Sequence, residues 1–405
     1  MNVPDMRRPE ALWAHMRHTL AFYASRVKDP SGGCFQFFKD DGTVYDRHTR
    51  HLVSSTRFVF NHALAWRWFG GPLNDVAHAL AFVHEVHARP QGGYAWVLDW
   101  HNGRATVVDG THHCYGLAFV LLANSHAAEV GVPGARDGIA ATFELMEKRF
   151  WEPAHGLYAD EATPDWQVGP YRGQNANMHA CEAMLAAHAA TAEARYLDRA
   201  LTLATSIARR QAALAGGLVW EHYNTDWTPD WDYNRHDKTN IFRPWGFQTG
   251  HLTEWAKLLL MLERRLGDAA PGWLVPTARH FFDTAMKQGW DTEHGGLVYG
   301  FAPGGEVCDA DKYFWVQAES LAAAAWLAVR TGDDTYWSWY DRLWAYAWNH
   351  FVDHEHGAWY RILAPDNGKL TDEKSPAGKT DYHTMGACQD VLAALGVQAP
   401  AKEAA

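Results

Sequence analysis

Histidine and carboxylate side chains recur at helical spacing within otherwise apolar stretches of the chain. His251 and Glu254 lie three residues apart, as do His179 and Glu182, and residues at this spacing share one face of a helix. Histidine has an unperturbed pKa of about 6.5 and is suited to taking up and returning a proton near neutrality. Each histidine taken singly is better explained as a satisfied core residue. Together they favour general acid–base chemistry.

Further polar residues belong to the same kind of helical stretch. Asn175 precedes His179 by four residues, Glu319 follows Trp315 in an apolar run, and His383 opens the final helical pattern. Arg57 stands inside an aromatic stretch, where a guanidinium either extends out to water or faces an anion or a sugar oxygen. The polar groups therefore come from several separate helices, which the fold must bring together.

The His-x-x-Glu spacing also occurs in the metal sites of helical bundles. Such a site needs further inward-facing glutamates, and the remaining acidic residues fall mostly in loop-like segments. The sequence has no HExxH motif, and it likewise lacks the G-x-S-x-G, Walker and G-x-G-x-x-G motifs. We therefore predict an enzyme site without metal or cofactor, and we find no motif support for a serine hydrolase, an NTPase or a dinucleotide enzyme.

Composition excludes several classes of partner. The net charge of −11 and the absence of a basic, aromatic-rich run argue against nucleic acid. The 21 tryptophans include several beside Gly, Asp and His in loop-like segments, which indicates stacking against sugar rings. The sequence shows no signal-peptide pattern and no apolar run of membrane-spanning length, and its five scattered cysteines indicate reduced thiols. These features predict a cytoplasmic protein that does not bind membranes.

One short element occurs six times along the chain. It is a Gly-Gly or His-Gly pair followed by aromatic or aliphatic residues, and its second glycine falls at positions 33, 93, 156, 217, 296 and 357. The intervals between these glycines are about 60 residues, apart from a longer fourth interval, and such a period fits two helices with their loops.

The apolar periodicity of the intervals predicts twelve helices. The predicted ranges are 10–27, 51–69, 74–88, 111–130, 136–150, 176–191, 195–212, 249–266, 275–287, 314–330, 335–350 and 382–395. Six helical hairpins must stack to bury their apolar faces, either as an open array or as a closed ring. The terminal helices are as apolar as the central ones, so we predict an all-α (α/α)6 barrel over residues 1–397, with short β-hairpins at one rim and a flexible tail at 398–405.

The long fourth interval carries a polar, aromatic segment at 221–243. A loop of this length with such a composition is more typical of a functional segment than of disorder. We interpret it as a substrate lid in preference to a packing insert.

Four motifs taken in order resemble the N-acylglucosamine 2-epimerase superfamily. They are the run Arg-Pro-Trp-Gly-Phe-Gln-Thr-Gly-His-Leu-Thr-Glu-Trp-Ala-Lys-Leu at 243–258, Trp-Val-Gln-Ala-Glu at 315–319, Asn-Ala-Asn-Met-His at 175–179, and Tyr382-His383. Within that superfamily the chain is most similar to the branch of D-mannose and sulfoquinovose isomerases. This resemblance implies an (α/α)6 barrel that needs no metal.

The resemblance also implies which residues form the site. His251 and His383 are implied as catalytic, and the implied substrate-binding residues are Arg57, Tyr115, Asn175, His179, Glu254 and Trp315. The implied reaction interconverts an aldose and a ketose, such as D-mannose and D-fructose or D-lyxose and D-xylulose, through a cis-enediolate. We assign His383 to the transfer between C2 and C1 and His251 to ring opening and the oxygen-bound proton, while the opposite assignment stays open.

The remaining site residues have expected roles in the same scheme. We expect Glu254 to orient His251, Arg57 to stabilise the enediolate, and Tyr115 and Trp315 to pack against the sugar. We expect Asn175 and His179 to hold hydroxyl groups. The partner is then a free monosaccharide, bound by a monomer or a homodimer.

Two departures from the family pattern narrow the substrate. Gly378 stands where cellobiose 2-epimerases carry a tryptophan, which counts against a disaccharide. The segment Tyr115-Gly116-Leu117-Ala118-Phe119 lacks the Asp-His of N-acylglucosamine 2-epimerases. The alternatives left open are a monosaccharide 2-epimerase, a sulfoquinovose isomerase and an (α/α)6 glycoside hydrolase with two catalytic carboxylates.

Overall fold

The structure is a computed structural model that describes residues 2–237, 240 and 242–400. Within these residues it contains twelve helices of ten residues or more, as the periodicity predicted. They are α1 (Pro9–Ala24), α2 (Leu52–Phe69), α3 (Leu73–Phe82), α4 (Cys114–Glu129), α5 (Ala135–Arg149), α6 (Gln174–Thr191), α7 (Ala194–Thr205), α8 (Thr249–Leu266), α9 (Leu274–Gly289), α10 (Phe314–Thr331), α11 (Asp334–His350) and α12 (Tyr382–Ala394).

Two of the predicted helices end in wider turns. After α3 the chain continues as a π-helical turn at Val83–His87, and after α7 it continues through Ser206–Gln211 and a last helical turn at Ala212–Leu214. A short 3-10 turn at Gly267–Ala269 follows α8. The predicted ranges 74–88 and 195–212 therefore have the right extent, because apolar spacing does not distinguish one wide turn from a regular one.

The even-numbered helices form an inner ring and the odd-numbered helices an outer ring. Each inner helix packs against the next, from α2 through α4, α6, α8 and α10 to α12, and α12 packs back against α2. Inner helix α10 is buried at every position from Val316 to Ala328, whereas its outer neighbour α11 buries one face only. This difference is expected of a helix with neighbours on all sides and of a helix with one side in water.

Short strands collect at the rim where the inner helices begin. They are β1 (Phe37–Lys39), β2 (Val44–Asp46), β3 (Thr49–His51), β4 (Val97–His101), β5 (Arg104–Asp109), β6 (His112–His113), β7 (Trp151–Glu152), β8 (Leu157–Tyr158), β9 (Glu161–Ala162), β10 (Arg172–Gly173), β11 (His222–Tyr223), β12 (Phe247–Gln248), β13 (Gly300–Phe301), β14 (Val307–Asp309), β15 (Lys312–Tyr313), β16 (Ile362–Leu363) and β17 (Glu373–Ser375). The second glycine of every repeat has a positive φ, between 61° and 95°, which the tight turn after each outer helix requires.

Antiparallel pairing of these strands links each repeat to its neighbour. The pairs β3–β4, β6–β9, β10–β11, β12–β13 and β15–β16 connect successive repeats, and β17 pairs with β1 to join the last repeat to the first. In that closing pair Ser375 lies opposite Phe38 and Glu373 lies opposite Lys39. The prediction of a closed (α/α)6 barrel is therefore confirmed.

Two further expectations concern the C-terminal tail and helices that could span a membrane. Of the predicted tail at 398–405, residues 401–405 lie outside the described residues. Among the helices of the described chain, none combines the length and the apolar character needed to cross a membrane.

Candidate active site

A cavity opens at the strand-bearing rim, in the centre of the inner ring. All eight site residues expected from the sequence line it: Arg57, Tyr115, Asn175, His179, His251, Glu254, Trp315 and His383. Its wall is completed by His51, Val53, Phe242, Pro244, Tyr299, Tyr313, Phe314, Arg361, Ala377, Gly378 and Lys379. The fold thus brings together groups that are as far apart as Arg57 and His383 in the chain.

The inner helices deliver these side chains in layers. Counted from the start of each inner helix, the second residues are Val53, Tyr115, Asn175, Gly250, Trp315 and His383, and the sixth residues are Arg57, Phe119, His179, Glu254, Glu319 and Ala387. Residues four apart lie above one another on a helix, so the two sets form an upper and a lower layer facing the barrel axis. All six helices also point their N-termini toward the cavity, where the helix dipoles favour negative charge.

His251 is held through its Nδ1 atom by a carboxylate. Glu221, which precedes β11, places its Oε2 atom 2.9 Å from this nitrogen. The Gln174 amide donates to the same carboxylate at 3.0 Å, and the Trp255 indole fixes that amide by donating to its Oε1 atom at 2.8 Å. Because a carboxylate only accepts, Nδ1 of His251 donates to Glu221, and Nε2 is the ring nitrogen that has no hydrogen-bond partner among the described residues.

This pairing corrects the expected role of Glu254. The carboxylate that contacts the His251 ring comes from Glu221, not from Glu254. Glu254 lies in the lower layer, with its Oε1 atom 3.7 Å from Nδ1 of His179. Glu254 and His251 share one face of α8 at this spacing, but the ring of His251 turns toward the hairpin that carries Glu221. The expected pair Glu254–His251 was therefore wrong.

His383 and His179 repeat the same arrangement with other carboxylates. Nδ1 of His383 lies 2.7 Å from Oε1 of Glu319, and Nδ1 of His179 lies 2.9 Å from Oε2 of Glu182. Burial lowers the pKa of His383 to about 4, although Glu319 works in the opposite direction. Burial also lowers the pKa of His179 despite its bond to Glu182. His383 is consequently a neutral ring near pH 7, with Nε2 free to accept a proton.

Arg57 anchors one wall of the cavity. Its guanidinium donates to the Gly378 carbonyl and to the Tyr115 hydroxyl, the latter at 3.1 Å, and it lies over the rings of Phe119 and Tyr382 at 4.4 and 4.8 Å. Gly378 has φ of +81°, and its backbone forms the wall directly. A Cβ atom at this glycine would lie 3.9 Å from Cε1 of Phe242 and 4.0 Å from Nη1 of Arg57, so the glycine adds no ring of its own to this side of the cavity.

Trp315 lies between the two proposed catalytic histidines. Its ring centroid is 5.0 Å from that of His251 and 5.8 Å from that of His383. Gly250 makes this position accessible, because a Cβ atom there would lie 2.3 Å from Cζ3 of Trp315. The tryptophan thus sets the separation of the two histidines.

Three polar groups at the cavity have atoms that are buried and bond to none of the described residues. They are both carboxyl oxygens of Glu254, Oδ1 of Asn175 and Nε of Arg57. Burial, together with the neighbouring carboxylates of Glu319 and Glu182, raises the pKa of Glu254 well above its usual value, which favours the protonated form of this carboxyl. Such groups cost free energy unless a ligand satisfies them. Hydroxyl groups of a sugar would do so.

The segment at 221–243 contributes to the site in two ways. Its first residue, Glu221, is buried and supports His251, while Phe242 reaches the mouth of the cavity with 54% of its surface exposed. Residues 238, 239 and 241 lie outside the described residues. Sequence reasoning noticed the segment but did not place Glu221 in the site, because no local spacing connects it to His251.

Arg361 and Lys379 are lining residues that sequence reasoning did not identify. Arg361 precedes β16 and makes no hydrogen bond or ion pair through its side chain with any residue in the described part of the chain, and burial lowers the pKa of its guanidinium. Lys379 donates to Asp381 at 2.7 Å. Neither residue lies in a helix, so the periodicity that revealed the other site residues gave no signal for them.

Two sets of side chains come close enough to be considered as metal ligands. His179, Glu182 and Glu254 form one set and Glu254, Glu319 and His383 the other, with their donor atoms within 4.8 Å of one another. The histidine nitrogen in each set already bonds to a glutamate, and the second oxygen of Glu319 lies 2.6 Å from the Lys257 ammonium. Hydrogen bonds and an ion pair therefore account for both groupings, and we do not assign either as a ligand set.

The depressed pKa of His383 predicts a low acid limit for the reaction. The ring is neutral above a pH of about 4 and loses its free nitrogen as the pH falls through that value. We expect kcat/KM to stay level from pH 7 to about pH 5.5 and to fall below that, whereas an exposed histidine would lose activity near pH 6.5. Initial rates across this range, with far-UV circular dichroism at each pH, test the expectation.

The circular dichroism control is needed because the fold itself loses stability in acid. Burial lowers the pKa values of His15 and His51 to about 3, so the unfolded chain binds more protons than the folded chain below pH 6.5. A midpoint near 6.5 in a chain that is still folded would contradict the assignment of His383 as a buried, neutral base.

The chain is similar to known proteins over most of its length. A family model described as N-acylglucosamine 2-epimerase matches residues 33–387. The chain is 53% identical to a D-mannose isomerase from Marinomonas mediterranea over 399 residues, which cover 98% of this chain and 100% of that protein. It is 37% identical to a D-mannose isomerase from Thermobifida fusca over 301 residues, which cover 74% of this chain and 70% of the relative.

A solved structure agrees with these similarities. A crystal structure of a D-mannose isomerase superposes with a TM-score of 0.94 at 53% identity, covering 97% of this chain and 100% of that chain.

Proposed function

The chain belongs to the N-acylglucosamine 2-epimerase family, and on that premise we propose that it is an aldose–ketose isomerase that interconverts D-mannose and D-fructose. The observation that supports this proposal most directly is the pair of buried histidines, His251 and His383. A carboxylate contacts Nδ1 of each ring, and Arg57 lines the same cavity. This arrangement supplies a base, an acid and a charge stabiliser in one enclosed site. The extensive identity to D-mannose isomerases supports the choice of mannose among aldoses.

Proton transfer between carbons is assigned to His383. In open-chain mannose, Nε2 of His383 takes the proton from C2, and the electrons of that C–H bond form the C1–C2 double bond of a cis-enediolate. The imidazolium exchanges its proton with solvent and then protonates C1. Glu319, which stays ionised because Lys257 and His383 outweigh the effect of its burial on its pKa, stabilises the imidazolium during this step.

The oxygen-bound proton is assigned to His251. Ring opening moves the proton of the O1 hydroxyl away and delivers a proton to O5, and ketose formation moves the O2 proton to O1. Nε2 of His251, whose Nδ1 is fixed by Glu221, is the group proposed to move these protons. Arg57 stabilises the negative charge that develops on O1 and O2, with help from the inner-helix N-termini. The sugar gains and loses equal numbers of protons.

The remaining lining groups hold the sugar. The unpaired Oδ1 of Asn175 accepts a hydrogen bond from one sugar hydroxyl, and the carboxyl group of Glu254, whose pKa is raised, bonds to another. Trp315 and Tyr115 pack against the carbon skeleton. Glu254 carries the one carboxyl group among the described residues that line the cavity, so a hydrolase that works with two facing carboxyl groups is not favoured.

Incubation with D-mannose in heavy water tests the proposed reaction. An isomerase gives D-fructose with deuterium at C1, whereas a 2-epimerase gives D-glucose with deuterium at C2, and proton NMR separates the two. Fructose as the first product supports the proposal. Glucose formed first, or no exchange at either carbon, would contradict it.

Arg361 is proposed to bind the end of the sugar remote from the reacting carbons. It lies at the rim, whereas the catalytic groups lie on the inner helices. We expect Arg361→Met to lower kcat/KM for D-mannose by about 10-fold, the worth of one charged hydrogen bond. The kcat/KM for D-lyxose, which lacks the C6 hydroxymethyl group, should fall much less in this variant.

The comparison of two substrates and two enzymes isolates this contact. Arg104→Met, at an exposed position on β5, serves as the matched control and should leave kcat/KM for both substrates unchanged. An equal loss for mannose and lyxose in Arg361→Met would mean that Arg361 does not contact the C6 group.

We also propose that the enzyme acts without metal or cofactor, in the cytoplasm, as a monomer or a homodimer. It is further proposed to act on free monosaccharides and to fold as a single barrel domain with a flexible tail at 398–405. Dialysis against EDTA followed by a rate measurement tests metal independence, and an unchanged rate is the expected result. Recovery of a lost rate by an added divalent cation would overturn it.

A further inference from the structure

A cluster of ionisable side chains lies beneath the cavity, one helical turn deeper than the lower layer. The ninth residues of α6, α8 and α12 are Glu182, Lys257 and Asp390. Seven residues, or about 10 Å along a helix, separate this layer from the upper one. Lys257 is 3% exposed and does not line the cavity. It therefore cannot contact a bound sugar directly.

Lys257 joins the carboxylate that supports His383. Its Nζ atom lies 2.6 Å from Oε2 of Glu319 and 3.0 Å from Oδ2 of Asp390. The other oxygen of Glu319 lies 2.7 Å from Nδ1 of His383. Asp390, Lys257, Glu319 and His383 thus form one continuous chain of contacts that ends in the cavity.

The cluster contains more negative than positive groups. The charged and titratable groups that face it are Arg57 on α2, His179 and Glu182 on α6, Glu254 and Lys257 on α8, Glu319 on α10, and Tyr382, His383 and Asp390 on α12. Four of these are carboxyl groups, and Lys257 is the cation in contact with two of them. Like charges that share a buried site raise one another's pKa values, so a nearby cation decides which of them stays ionised.

The environment shifts the pKa values of Glu254 and Glu319 in opposite directions. Burial and the carboxylates of Glu319 and Glu182 raise the pKa of Glu254, whereas Lys257 and His383 overcome the effect of burial and lower the pKa of Glu319. The carboxylates around Lys257 in turn outweigh its own burial and raise its pKa. An ionised Glu319 can only accept, so Nδ1 of His383 must carry the proton.

We propose that Lys257 is a positioning residue that keeps Glu319 ionised and thereby holds His383 in the tautomer whose free nitrogen faces the cavity. The inference rests on the proton-transfer role proposed above for His383. Without the ammonium group, Glu319 binds a proton and donates a hydrogen bond to Nδ1 of His383. The ring then carries its own proton on Nε2 and has no free acceptor for the proton at C2.

The sign of the pH effect follows from this exchange. In the wild-type protein the pKa of Glu319 lies below its usual value, so Glu319 is ionised throughout the neutral range. Loss of an opposite charge in direct contact raises a carboxyl pKa by about 1–3 units. Activity then requires a higher pH, and raising the pH restores it.

The test is the pH profile of mannose isomerisation in Lys257→Met, compared with Lys257→Arg and the wild type. We expect the acid limb of kcat in Lys257→Met to move up by about 1–3 pH units and the deficit to shrink above pH 8. Lys257→Arg keeps the charge and should keep the limb near its wild-type position. A loss of rate that is equal at every pH would mean a purely structural role and would overturn the proposal, as would an unchanged profile.

A charge-balanced variant covers the case in which Lys257→Met does not fold. The double variant Lys257→Met/Asp390→Asn removes one charge of each sign. The acid limb of its pH profile should lie between those of Asp390→Asn and Lys257→Met. Where Lys257→Met is insoluble, the comparison is with Asp390→Asn alone, and the limb of the double variant should lie at a higher pH. Nitrogen-15 NMR of the His383 ring should show its proton moving from Nδ1 to Nε2 as the pH is lowered. An unmoved limb and an unmoved proton would overturn the proposal.

These results separate the inference from the proposed function. Wild-type conversion of mannose to fructose and its loss in a His383 variant concern the function alone. A protein that isomerises mannose through His383 but shows no shift in Lys257→Met would retain its function and refute the role of Lys257.

Discussion

Replacing His383 by asparagine is expected to remove almost all isomerisation while leaving the fold intact. Asparagine retains a polar group that can meet Glu319 but has no nitrogen able to take the proton from C2. General acid–base catalysis by one side chain contributes about 10²–10⁴-fold. We therefore expect kcat for D-mannose to fall by that factor. The rate at which deuterium enters C1 of fructose in heavy water should fall by the same factor.

The matched control is a histidine at the far end of an inner helix. His188 lies in the last turn of α6, away from the cavity lining. His188→Asn should leave the rate and the deuterium incorporation unchanged. A His383→Asn protein that stays folded by circular dichroism and still exchanges deuterium at C1 at a near-normal rate would require another base.

Gly250→Ala is expected to be the most damaging small substitution in the site. The added Cβ would lie 2.3 Å from Cζ3 and 2.7 Å from Cη2 of Trp315, so the indole must move. Since the indole separates His251 from His383, its displacement changes the geometry of both. A misplacement of about 1 Å at a reacting group costs roughly 10²-fold in rate, and we expect a loss of that size in kcat/KM.

Gly386→Ala provides the comparison that isolates the steric cause. Gly386 also lies on an inner helix, and the nearest atom to an added Cβ there is Cζ of Phe60 at 3.8 Å, an ordinary contact. Both substitutions add the same methyl group and the same helical preference, worth about 1 kcal/mol. Gly386→Ala should keep its activity and gain stability. Similar losses of activity in both variants would show that crowding of Trp315 is not the cause.

The helical content of the barrel could be predicted from local sequence because it depends on local periodicity. The apolar spacing located all twelve helices, and the repeated glycine turns gave their pairing. The glycines are informative because a left-handed backbone is required at each turn and glycine adopts it at least cost. The wide π turns after α3 and α7 were not predicted, since one extra residue in a turn leaves the apolar pattern unchanged.

The site residues on helices were also accessible from the sequence, partly through the family resemblance. Asn175 and His179, or His251 and His383, are polar groups at inward positions of apolar helices, and the resemblance distinguished them from core residues. The residues missed were Glu221 and Arg361 in loops and Lys257 on a helix. Lys257 resembles an ordinary surface lysine in the sequence, and only its burial between α10 and α12 shows otherwise.

The sequence alone thus determined the twelve helices, their six repeats and the polar residues that face inward, because each depends on neighbours within about one or two helical turns. The tertiary structure alone decided which carboxylate partners which histidine. Glu221 rather than Glu254 contacts His251, and Lys257 meets Glu319 across two helices. Contacts of this kind depend on the distance between separate helices in the closed ring, and no spacing along the chain encodes that distance.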